Sequence, residues 1–103
     1  MKPEFDSSAV ITIESADAEN PLISFPQATC KDVVANYRIE IYQDNTLVNT
    51  VYRLSETYYG DATPTVLNTH LGKMEPGEYT LKVYATSSYA LHSEPITGTL
   101  TVN

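Results

Sequence analysis

An all-β fold, a seven-stranded sandwich of two sheets, is the class that this sequence predicts, and three observations carry it. The first is Met74-Glu75-Pro76-Gly77-Glu78-Tyr79 running straight into Thr80-Leu81-Lys82-Val83-Tyr84-Ala85. A Pro-Gly turn followed at once by period-two alternation reads as a tight entry into a half-buried strand. On that strand Tyr79, Leu81, Val83 and Ala85 face a core, while Thr80, Lys82, Tyr84 and Thr86 face water. The second observation is vocabulary: Thr, Tyr and Val suit strands, and no window offers a helical face. The third is that turn signals recur at spacings close to the roughly 8–12 residues typical of sandwiches, with no internal repeat.

Taken in order, the first strand covers Val10 to Ile13 and ends in the polar run Glu14-Ser15-Ala16-Asp17-Ala18-Glu19-Asn20-Pro21. Leu22 to Phe25 is a short second strand, and Gln27 to Asp32 is a loop by composition. Val33 to Tyr42 alternates clearly, with Tyr37, Ile39 and Ile41 on one face and Arg38, Glu40 and Tyr42 on the other. The cluster Gln43-Asp44-Asn45-Thr46 folds this strand back into Leu47 to Leu54 as a hairpin. Ser55 to Pro64 is the longest aperiodic segment and is expected to be exposed. Thr65 to Leu71, the strand opened by Tyr79, and Ile96 to Val102 complete the set. The expected core is Ile23, Phe25, Tyr37, Ile39, Ile41, Leu71, Met74, Tyr79, Leu81, Val83 and Leu100.

At 103 residues the chain is one domain, able to bury about 65% of its unfolded surface. The net charge of −7, with Lys and Arg scattered singly, opposes nucleic acid and anionic membranes alike. Apolar runs of a few residues exclude a membrane-inserted helix, and the opening Met1 to Asp6 lacks the apolar stretch of an export signal. One cysteine, Cys30, excludes an internal disulfide and any multi-thiolate metal site.

The residues now described resemble a fibronectin type III domain over about residues 8 to 102. Phe25 sits where that family's buried tryptophan stands, and Tyr37, Ile39 and Ile41 match its third strand. Leu71, Met74, Pro76, Gly77 and Tyr79 match its turn into the sixth strand, and Ser93-Glu94-Pro95 matches the step before its seventh. Tyr79 follows Pro76 by three positions, where the familiar animal form has four; the shorter turn is similar to that of bacterial relatives. No Arg-Gly-Asp is present, so cell adhesion is not carried over. The resemblance implies an immunoglobulin-like sandwich over residues 8–103 behind a flexible lead at 1–7, in a family used mostly as spacer, docking surface or linker.

Candidate chemistry is sparse. His70 reads as a solvent-facing strand residue and His92 as a loop residue. Cys30 lies beside Lys31, the kind of neighbour that activates thiols, but no local nucleophile motif surrounds it, and a small buried or half-buried thiol is the plain reading. No Gly-x-Ser-x-Gly elbow or phosphate loop occurs, and Asp17, Glu19 and Asn20 lack the Gly and distal Glu of a calcium loop. No catalytic residue, metal or cofactor is therefore expected. The residues singled out for recognition are Tyr58, Tyr59, Asp61 and Tyr89, because aromatic rings beside carboxylates on loops suit a contact surface.

The expected function is a non-catalytic accessory or interaction module of a multidomain bacterial exported hydrolase, such as a metallophosphoesterase or glycoside hydrolase. Its expected partner is a neighbouring domain of the parent chain, with the module itself monomeric and its place extracellular or periplasmic. The alternative is a carbohydrate-binding module that stacks tyrosines on a polysaccharide; the absence of Trp counts against it.

Overall fold

The computed structural model describes residues 2–56 and 65–103, so Tyr58, Tyr59 and Asp61 lie outside the described residues. Seven strands run β1 (Thr12–Ser15), β2 (Leu22–Pro26), β3 (Val34–Gln43), β4 (Thr46–Leu54), β5 (Val66–His70), β6 (Gly77–Ser87) and β7 (Ile96–Val102). They form two antiparallel sheets, β1-β2-β5 and β4-β3-β6-β7, packed face to face as in immunoglobulin-like domains.

Local chemistry explains the turns. Asp44 (φ 51°) and Asn45 (φ 65°) both take the left-handed conformation that a two-residue hairpin requires, and Gln43 pairs with Thr46 across it. Gly77 has φ 151°, and a Cβ there would lie 2.9 Å from Gln43 Nε2, so the Pro-Gly turn needs its glycine twice over. The hydroxyl of Tyr79 donates to the Glu75 carbonyl at 2.7 Å. The shortened turn therefore still closes a tyrosine corner.

Every residue expected in the core is buried there. Alternation achieves this on β3 and β6, whose inward residues meet Ile23, Phe25 and Leu67 from the other sheet. The largest buried group is Tyr37, whose ring packs tilted against Phe25 (centroids 5.2 Å apart) and Phe5 (6.1 Å). Its hydroxyl accepts the Ala28 backbone N–H at 2.9 Å, which satisfies both groups inside the core. Burial pushes the Tyr37 pKa up to about 12, an effect that the Ala28 bond partly offsets.

The opening segment, read from the sequence as a flexible lead, lies on the sandwich. Glu4 and Thr29 exchange backbone bonds of 2.8 and 2.9 Å, Pro3 is fully buried, and Lys2 pairs with Glu94 at 3.3 Å. The segment has no strand period in the sequence; in the structure the two-bond bridge, the Phe5 ring contact, buried Pro3 and the Lys2 pair lay it on the sandwich.

Antiparallel register sorts the connections between two ends. Residues 27–33 leave β2 and enter β3, β4 ends at Leu54 and β5 begins at Val66, and residues 88–95 leave β6 and enter β7, all at one end. The first residues approach this loop end too, through the Glu4 and Thr29 bridge. The opposite, turn end carries residues 16–21, Asp44-Asn45 and residues 71–76, and the last residue is fixed there by Asn103 N–H donating to the Ala16 carbonyl at 3.1 Å.

Candidate interaction surface

Of the large apolar side chains that the described residues expose, Val10, Val33, Leu54, Val66, Tyr89 and Leu91 surround the loop end, while Leu47, Val48 and Tyr52 lie along β4. Two subsets build the loop-end patch. Val10 and Val66 flank Pro26 in one shallow groove on the β1-β2-β5 side. On the other side Val33 offers its carbonyl to Ser88 N–H at 2.8 Å, which brings the 27–33 and 88–95 connections together.

Tyr89, 73% exposed, stands on a rigid base. Ser87 O accepts Ala90 N–H and Ser87 N–H donates to Leu91 O, both at 2.9 Å. The buried Ser87 hydroxyl accepts the N–H groups of Tyr89 and Leu91 at 3.2 Å each. Ala90 closes the turn at φ 63°, the left-handed position of a three-residue hairpin loop that usually holds glycine. An exposed ring on a turn this constrained loses little further freedom on contact.

The segment that carries Tyr58, Tyr59 and Asp61 departs from and returns to the same end. Ser55 N–H donates to Ala35 O at 3.1 Å, Glu56 N–H to Gln27 Oε1 at 3.3 Å, and Gln27 N–H to Thr65 O at 2.9 Å. Arg53 adds an ion pair with Glu56. The structure thus places Tyr89 on the loop end together with both roots of the segment bearing the other three candidates.

A second polar and aromatic area, which sequence reasoning missed, covers the outer face of the four-stranded sheet. Register puts Tyr52 and Tyr84 on either side of Arg38, and Thr50 and Lys82 on either side of Glu40. The Arg38 guanidinium lies 4.4 Å from the Tyr84 ring centre and Lys82 Nζ 4.8 Å from that of Tyr42. Glu40 accepts from Arg38 Nε at 3.1 Å and from the Tyr42 hydroxyl at 2.7 Å, and the bond to Glu40 raises the Tyr42 pKa. Alternation marked Arg38, Glu40, Tyr42, Lys82 and Tyr84 as outward; only pairing shows them as neighbours and sets Tyr52 and Thr50 beside them.

The remaining candidates stay apart. His70 is exposed at the turn end of β5, whereas His92 sits at the loop end with Nδ1 3.0 Å from Thr86 Oγ1. Cys30 is half-buried against the core. Asp17 and Asn20 serve the chain's own backbone: Asp17 Oδ1 accepts Glu19 N–H and Asn20 Oδ1 accepts Gly72 N–H, both at 3.1 Å. Among the described residues no three His, Cys, Asp or Glu side chains gather as a metal ion would need, and no helix is long and apolar enough to cross a membrane. The chain matches no protein-family model and no curated protein.

Proposed function

We propose that this chain is a non-catalytic interaction module, a fibronectin type III-like sandwich that docks on a neighbouring domain of a longer exported protein through its loop end. The observation that carries the reading is the crowding of six exposed apolar side chains at that one end. Single exposed apolar residues are ordinary, but several large ones at one end of a domain suit a contact surface. The strand order and the tyrosine corner accord with the fibronectin type III resemblance. The separation of His70 from His92 supports a role without chemistry. An exported hydrolase as parent follows from family habit.

The polysaccharide reading is weaker. Stacking needs open ring faces, and on the broad sheet face two of the three tyrosines already carry cations, Arg38 on Tyr84 and Lys82 on Tyr42. The test measures binding of this chain to the domain encoded next to it in the same reading frame. Replacing Val33, Leu54 and Tyr89 together by Ser should weaken binding by at least roughly tenfold, or 1.4 kcal/mol, since an aromatic anchor is lost. Equal affinities for the variant and the parent chain would remove the loop end as the docking surface, and retention on a polysaccharide gel would favour the other reading.

A further inference from the structure

A groove of about 350 Å³ lies at the loop end, between the opening segment and the step that leads into β7. Its apolar lining is Pro3, Phe5, Ala9, Pro95 and Ile96, and Glu4, Asp6 and Glu94 stand around it. Both walls are fixed before anything binds. On one side Glu4 and Thr29 exchange their two backbone bonds and the Phe5 ring rests on Tyr37. On the other, Ser93 N–H donates to Ala85 O at 2.9 Å, and the buried Ser93 hydroxyl accepts Ala85 N–H at 2.8 Å. Walls held in this way lose little freedom when a ligand enters.

The charge at the groove is unbalanced. Lys2 is the one cation in its lining, and Lys2 Nζ sits 3.3 Å from Glu94 Oε1. That pair joins two exposed side chains, so it holds weakly in water. It also shows what the groove accepts: a cation carried on an aliphatic stem. Glu4 and Asp6 pair with no cation among the described residues. The Asp6 carboxylate is held in place by Ser8, whose N–H donates to Oδ1 at 2.9 Å and whose hydroxyl donates at 2.7 Å, and these bonds lower its pKa. Among the described residues no three such carboxylates gather as a metal ion would need. An extended, planar cation can reach positions that a point charge cannot bridge.

We propose that this groove seats an arginine side chain of the neighbouring domain, an inference that rests on the loop-end docking reading. The stem lies on Phe5, Pro95 and Ile96, and the guanidinium fork, which can serve two acceptors at once, meets the carboxylates. Asp6 also lines the shallow groove of Val10 and Val66, so the charged seat is continuous with the apolar patch. The volume is at the small end of ligand clefts, with room for one long side chain. The net charge of −7 steers a basic surface toward the chain and repels a second copy.

The experiment titrates the isotope-labelled chain with acetyl-arginine amide and follows backbone amide chemical shifts. Phe5, Ala9 and Ile96 should shift together and saturate with a Kd of about 1–10 mM, weak because a single side chain supplies the contact. Acetyl-norleucine amide, which has an apolar stem and no charge, should leave them in place. Asp6→Asn combined with Glu94→Gln changes two exposed positions and keeps an acceptor oxygen for Ser8. This variant should bind arginine amide roughly threefold or more weakly, and it should weaken binding of the neighbouring domain and flatten its dependence on salt. Replacing Val33, Leu54 and Tyr89 leaves the groove lining whole, so that variant should bind arginine amide as the unaltered chain does even where it loses the neighbouring domain. Equal shifts with both amides, or a carboxamide variant that binds arginine amide or the neighbouring domain as tightly as the unaltered chain, overturns the proposal and leaves the apolar patch standing.

Discussion

The two ends of the sandwich close one core from opposite sides, and they use their apolar residues in opposite ways. At the turn end Pro21, Leu71 and Met74 are buried, and the backbone is tied between connections, with Leu71 N–H on Pro21 O at 2.9 Å and Met74 N–H on Ala18 O at 2.8 Å. At the loop end the core is sealed one layer down, by Phe5, Phe25 and Tyr37. The residues above that seal, such as Leu54 at 74% exposure, are left outside. A sandwich needs both ends shut, but the seal beneath the loops frees the outer layer for contact, because changes there leave the packed interior alone.

The sharpest way to break this contrast is to remove the seal. Phe25→Ala deletes a fully buried ring and should cost about 3–5 kcal/mol, enough to unfold much of a domain this small. A chemical denaturation midpoint that stays put would mean that the loop end is closed by something else. The next effect tests the polar tip of the same seal. In the unfolded chain Tyr37 ionises near its ordinary value of 10.0, but in the folded protein only near about 12. Its contribution to stability is therefore complete below pH 10 and is lost as pH rises through the folded value, by roughly 2–3 kcal/mol at about 1.4 per unit. Alkaline unfolding of Tyr37→Phe should lack that component, and equal steepness in both proteins would assign the alkaline loss to other groups.

The turn end should respond less. Tyr79→Phe keeps the ring and loses only the bond to Glu75, for about 1–2 kcal/mol, and it should leave binding at the loop end unchanged. A larger loss than that of Phe25→Ala would reverse the ranking of the two ends.

Much of the fold was legible in the chain. Period-two alternation on β3 and β6 named the buried face residue by residue, since a strand turns successive side chains to opposite sides whatever it pairs with. Asp44-Asn45 and Pro76-Gly77 named two reversals, because the required backbone angles are local properties of those residues. Tyr89 was legible as a loop aromatic, but its fixed stance on the Ser87 turn was not, since that depends on bonds formed only when the turn closes.

By itself, then, the sequence determined the strands, their inward faces and two of their turns, all consequences of interactions a few residues in range. The tertiary structure alone decided which residues become neighbours across the chain: Glu4 beside Thr29, Arg38 between Tyr52 and Tyr84, and Val33 beside Ser88. Alternation tells a side chain which way to face, but register, which pairs residues far apart in sequence, sets what it faces next to.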